Sequence, residues 1–267
     1  MTQRERNWLL VAPAAGWFLV MLVFPLCVVF VFSLGERGAA GGYVPALTLE
    51  QYANLPARLT AFKNTMILAP LGTLAAMLIA YPVAYQLAVR TDPKWRTMLL
   101  VLVIVPFWTS ILIRSYAWIY ILGGRGVPAL LEIVGIDDVR LIYTPFAVLV
   151  GIVYGYKRLI EASSDLGAWP LATFFQVTLP LSISGIATGC MLVFILLMGE
   201  FLIPALLGGG KVFFVGNALV DLFLQSRNWA FGSAVAVTLI VIMLVTVTLY
   251  MRLIARLQRR REDVSIM

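Results

Sequence analysis

The sequence predicts an all-α integral membrane protein whose chain crosses the bilayer six times. Three observations lead there. Of the 267 residues, 61% are hydrophobic and only 12% charged, against roughly 45–50% and about 25% in a soluble domain. The mean hydropathy is +0.95. Apolar residues gather into six runs separated by short polar stretches, and at about 20 residues per membrane helix these runs consume most of the chain. A second, soluble domain has no room, so a single transmembrane domain over residues 1–267 is expected.

The runs are Trp8 to Leu34, Phe62 to Val89, Met98 to Leu122, Leu141 to Tyr156, Leu181 to Leu207 and Phe231 to Ile254. The first follows Arg4 and Arg6 and resembles a signal peptide in its charge, but its 27 residues exceed the 7–15 of a signal-peptide apolar core. An uncleaved anchor is expected. The longest polar stretch, Gly35 to about Ala61, contains Gly41, Gly42, Pro45 and Pro56 and reads as an external loop with one short helix around Leu49 to Ala53. The fourth run is short. Its 16 residues extend about 24 Å at 1.5 Å per residue, against about 30 Å of hydrocarbon.

Orientation follows from the basic residues, because positively charged loops stay inside. With the N-terminus in the cytoplasm, Arg4, Arg6, Arg90, Lys94, Arg96, Lys157, Arg158, Arg252, Arg256, Arg259, Arg260 and Arg261 are cytoplasmic, which is 12 of the 20 lysines and arginines. Both termini are then cytoplasmic. The net charge of +7 reads as this topology signal and as an attraction to anionic lipid headgroups. Nucleic acid is not an expected partner, since the charges are dispersed among loops without interleaved aromatics.

Several chemistries are excluded by absence. There is no histidine, which removes metalloprotease, haem and imidazole-dependent serine chemistry. Cys27 and Cys190 lie in apolar runs with no cation beside them and read as buried structural thiols. Gly208 to Lys211 lacks the earlier glycine and the following Ser or Thr of a phosphate-binding loop. Neither a cofactor nor a metal ion is expected, and any ATP hydrolysis belongs to another subunit.

The stretch after the fourth run carries the strongest local pattern. Leu159, Ala162, Ser163 and Leu166 fall at i, i+3, i+4 and i+7, giving a narrow face of a short helix, with Glu161 and Asp165 on another. Gly167 supplies a helix stop and Pro170 opens a second helix at its first position. Pro180 breaks that helix just before the fifth run.

These residues resemble the signature of the permease subunits of binding-protein-dependent ABC importers: Glu-Ala-Ala, three residues, Gly, nine residues, then Ile-x-Leu-Pro. Here the positions are Glu161-Ala162-Ser163, Gly167 and Val177-x-Leu179-Pro180, with Ser for Ala and Val for Ile the only departures. The resemblance implies a six-helix permease fold in which this loop is a coupling helix docked on a cytoplasmic ATPase dimer. It also implies a second, similar permease subunit, a periplasmic or extracellular substrate-binding protein, and residence in a bacterial inner membrane among lipids. Pro106 to Trp118, Gly199 to Lys211 and Asn228 to Ala234 look closest to the spermidine and putrescine branch. Sulfate, molybdate and ferric-iron permeases share the loop, and an ion-coupled transporter is a reading from another class, one that calls for more paired acidic groups at mid-depth. Members of the family continue the fourth span further than this chain does before reaching the loop.

Two charges lie within the apolar runs. Arg114 and Glu200 sit about 10–12 Å below the outer ends of the third and fifth spans at 1.5 Å per residue, and intramembrane charges face partners or water-filled routes. They are expected to pair or to line the outer translocation path, with Glu200, and Asp221 in the external connection, attracting a cationic substrate. A structural ion pair or helix-end anchor is the competing reading. Tyr52, Tyr116, Trp118, Tyr120, Tyr143 and Trp229 read mainly as an interfacial aromatic belt.

Overall fold

The computed structural model describes residues 3–39, 41–87, 91–156 and 179–265. The chain is mostly helical and divides into two compact units, one of residues 1–59 with 218–242 and one of residues 60–217 with 243–267. Among the described residues three helices are long and apolar enough to cross a membrane, within Ala12–Ser33, Leu55–Tyr85 and Trp229–Arg256. Shorter apolar helices fall in the fourth run, at Pro145–Tyr154, and in the fifth, at Gly185–Met198.

The first unit begins with α1 (Gln3–Ser33). Its apolar side chains are exposed around the helix, Trp17 at 65% and Phe18 at 74%, as suits a helix whose solvent is lipid. Cys27 is exposed with them, which corrects the expectation of two buried thiols: an apolar run does not distinguish burial in protein from burial in lipid. A small antiparallel pair, β1 (Glu36–Arg37) and β2 (Tyr43–Val44), follows. Gly41 and Gly42, at φ of 85° and 89°, occupy the left-handed region that glycine enters without a Cβ clash. Tyr43 stacks on Phe32 at 4.3 Å between centroids. The predicted short helix is present as α2 (Glu50–Ala53), with the Thr48 hydroxyl accepting from the Glu50 N–H.

The second unit is built on α3 (Leu59–Tyr85), most of which it contains, with α4 (Pro93–Ile104), α5 (Ile111–Leu122), α6 (Val127–Ile133), α7 (Pro145–Tyr156), α8 (Leu179–Met198) and α9 (Leu202–Leu207). Two further helices, α10 (Val215–Val220) and α11 (Trp229–Ser265), contribute to both units. Its core joins Val148 and Ile152 of α7 to Val193 and Leu197 of α8 and Leu207 of α9, all fully buried. A Cβ on Gly72 of α3 would lie 2.7 Å from Ile152 Cγ2 and 3.3 Å from Leu197 Cδ1. Small residues that let helices approach closely are how membrane helices gain packing when lipid removes the hydrophobic drive.

Two of the runs are not continuous helices. The third, Met98 to Leu122, passes from α4 into a 3-10 turn at Val105–Trp108 and restarts as α5. Pro106 cannot donate to the helix ladder, and the Ser110 hydroxyl caps the new start by accepting from Leu112 N at 3.3 Å. The fifth, Leu181 to Leu207, divides between α8 and α9 at Gly199 and Glu200. In the fourth run the helix starts at Pro145 rather than Leu141, because Thr144 Oγ1 accepts from Ala147 N and Pro145 takes a position that needs no donor.

Candidate functional site

The break between α8 and α9 is the most elaborated polar feature of the second unit. Glu200 is only 7% exposed, and its Oε1 accepts from Leu202 N at 2.8 Å and Ile203 N at 3.3 Å. These are donors left unsatisfied at the start of α9. The carboxylate thus stabilises the helix beginning and is in turn favoured by the helix dipole. A Cβ on Gly216 would lie 2.6 Å from the Glu200 carbonyl oxygen, so the start of α10 reaches the break only because position 216 has no side chain.

Three polar side chains fasten the preceding segment. Asn217 Nδ2 donates to Phe201 O at 2.7 Å while its Oδ1 accepts from Phe214 N at 3.1 Å. Thr65 Oγ1 of α3 accepts from Val215 N at 2.9 Å, and Asn64 Nδ2 donates to Phe213 O at 3.1 Å. Nonhelical backbone at membrane depth is tolerated only where protein or trapped water satisfies it, and these residues do so. On the other side of the segment, Tyr143, at φ 62°, donates its N–H to Leu207 O at 3.0 Å.

Sequence reasoning found Glu200 but not its supports. Asn64 and Thr65 are polar residues within an apolar run, a signal that was legible; Asn217 and Gly216 lie in a connection whose path the sequence does not reveal. Arg114 is half-buried on α5, which packs against both α9 and α7. Asp221 belongs to the first unit, where its Oδ2 receives Arg58 Nη2 at 2.7 Å, the two side chains 30% and 27% exposed. Of the expected aromatic belt, Tyr116 and Tyr120 are well exposed. Tyr52 instead hydrogen-bonds Ser33 at 2.7 Å, and Trp118 meets Tyr154 edge to face at 5.6 Å. Glu161, Ala162, Ser163 and Gly167 lie outside the described residues, whereas Leu179 and Pro180 open α8, where proline needs no helical donor.

Nothing in this arrangement supplies a nucleophile with a base; it is a membrane scaffold with a braced interruption. Among solved structures its fold is similar to that of a bacterial alginate ABC transporter in complex with an alginate pentasaccharide-bound periplasmic protein, with a TM-score of 0.76 at 19% identity over 95% of this chain and 96% of that one. No family model matches the sequence. The fold is thus of the kind found in these bacterial ABC transporters.

The chain is 37% identical to the spermidine/putrescine transport system permease protein PotB of Haemophilus influenzae, over 94% of this chain and 95% of that protein. It is 33% identical to the protein of the same name from Salmonella typhimurium over 99% of both. The chain therefore belongs to the family of spermidine/putrescine transport system permease proteins. Members are transport subunits rather than enzymes. The Salmonella alignment extends over 285 positions, more than the 267 residues here, so that relative carries residues this chain lacks.

Proposed function

We propose that this protein is one permease subunit of an ATP-driven, binding-protein-dependent importer of polyamines. The near full-length similarity to permeases named for spermidine and putrescine carries the reading. Six crossings are assigned to α1, α3, the α4–α5 pair, α7, the α8–α9 pair and α11, with both termini cytoplasmic because the basic residues concentrate on that side. The remaining parts are a second similar permease, a cytoplasmic ATPase dimer and an external binding protein. The periplasmic protein bound to the alginate transporter supports the last of these.

Coupling is assigned to Glu161, Ala162, Ser163 and Gly167, followed by Leu179 and Pro180: closure of the ATPase dimer moves this loop, and the loop moves the spans. Arg114 and Glu200 are assigned to the outer part of the route. Asp221 contributes negative charge on the external side, but Arg58 offsets most of it, so attraction of a cation rests chiefly on Glu200. At 7% exposure, the carboxylate acts on a passing ammonium group through a lower effective dielectric than at the surface.

The test is reconstitution of the full complex in proteoliposomes with candidate binding proteins. Spermidine or putrescine should stimulate ATP hydrolysis and accumulate inside; accumulation of another solute class only would overturn the substrate assignment. Gly167→Val should leave hydrolysis running while uptake falls at least tenfold, and unchanged uptake would refute the role of the loop. A reporter fused near Asp165 should read cytoplasmic, and an external signal would sink the six-span topology.

A further inference from the structure

The connection between α5 and α7 holds a short helix, α6, fixed at both ends by its own backbone. α6 follows α5 after one tight turn, in which Gly126 N donates to Gly123 O at 2.9 Å. A Cβ on Gly126 would collide with the Ile121 carbonyl oxygen, so α6 starts directly against the end of α5. The far end is closed as firmly. Gly135, at φ 86°, donates its N–H to Glu132 O at 3.0 Å, and Ile136 N donates to Leu131 O at 3.0 Å, the paired bonds of a left-handed glycine stop.

At about 3.6 residues per turn, Leu130, Ile133 and Val134 share one side of α6, while the buried Pro128 and the exposed Glu132 occupy the other. The apolar side faces away from the protein: Ile133 is 81% and Val134 76% exposed, and Leu130 and Ile136 are exposed with them. Arg125 before the helix and Asp137, Asp138 and Arg140 after it are exposed too. An apolar face with charges on the other side and at both ends is what a helix lying in a bilayer interface requires. The lipid side of α5 leads up to it, ending in exposed Tyr120 and Ile121, and tyrosine is enriched at headgroup level.

We propose that α6 is an interfacial anchor, lying in the headgroup layer where α5 ends, with Leu130, Ile133, Val134 and Ile136 inserted among the first acyl carbons. The inference rests on the assignment of α5 and α7 to membrane crossings and not on which solute is transported. Its charged neighbours include both signs, so the partner is the lipid surface itself and no anionic headgroup is required. Interfacial anchors set the tilt and rotation of the helices they join. Here the anchor holds the height of α5, which carries Arg114, and of α7, the shortest crossing.

Photolabelling of the unaltered full complex in phosphatidylcholine proteoliposomes tests it, with a diazirine placed either beside the glycerol or at the end of the acyl chain. The glycerol-side probe should label residues 130–136 at least fivefold more than the chain-end probe does. The chain-end probe should instead label Ile113, about 14 Å down α5 at 1.5 Å per residue. Labelling of Ile113 with none on α6 would overturn the anchor alone; no labelling of Ile113 would overturn the crossing assigned to α5 and the anchor with it. Ile133→Asp with Val134→Asp should cut the glycerol-side labelling at least fivefold while Glu132→Gln leaves it unchanged, and full labelling of the double variant would also overturn the proposal. A photoreactive benzoylphenylalanine at position 133 should give lipid adducts. Adducts to another subunit in their place would show that protein covers this face.

Discussion

Asn217 bridges the interruption between α8 and α9 by donating its Nδ2 to Phe201 O at 2.7 Å while accepting from Phe214 N with the other end of its amide. One side chain thus satisfies Phe214 N, which no helix ladder reaches, and gives a second donor to Phe201 O, which already accepts from Ala205 N at 3.1 Å. The site is stabilised from its backbone outward.

Asn217→Ala should lower the stability of the detergent-solubilised subunit by about 1–3 kcal/mol, because the buried Phe214 N–H loses its partner and Phe201 O loses one of its two donors. Thermal unfolding monitored by fluorescence checks it. Asn217→Asp keeps the acceptor and loses the donor, and should fall between wild type and Ala.

Gly216→Ala should be at least as harmful as Asn217→Ala despite adding a single methyl. The new Cβ meets the Glu200 carbonyl at 2.6 Å, and the backbone there has no flexible side chain to yield, so overpacking costs about 1–3 kcal/mol. A Tm unchanged from wild type would show that α10 can move away from the break.

Glu200 separates two roles by substitution. Glu200→Gln retains an oxygen able to accept from Leu202 N and Ile203 N and removes the charge. It should preserve Tm to within about 1 kcal/mol of stability while raising KM for a polyamine several-fold. Glu200→Ala should lose both, and KM unaltered in Gln would make the residue a helix cap alone.

The Arg58 and Asp221 pair is nearly one-third exposed on each side, so its contribution to stability should be under about 1 kcal/mol. Single reversals, Arg58→Asp or Asp221→Arg, should reduce uptake more than the double reversal, which restores opposite charges. Equal loss in all three variants would count against the pair.

The membrane class was legible because composition is additive: every apolar residue raises the same signal wherever it packs. Glu200 was legible for a related reason, since a charge within an apolar run is costly enough to demand an explanation. Hydropathy did not show that the third and fifth runs are each divided. A 3-10 turn or a helix break changes hydrogen bonding, not polarity, and the markers present, Pro106 with Ser110 and Gly199 with Glu200, are also tolerated within continuous membrane helices. The exposure of Cys27 was hidden for the same reason, as lipid and protein interior select alike for apolar neighbours.

By itself the sequence determined the all-α membrane class, the candidate charges and the motif by which the permease family is recognised, since each depends on residue type and spacing along the chain. Only the tertiary structure decided that Asn64, Thr65, Gly216 and Asn217 converge on residues 199–215 and that Asp221 is held by Arg58. These contacts join residues up to 163 positions apart. A hydrogen bond acts over about 3 Å, and that proximity is set by how the helices pack, not by their order in the chain.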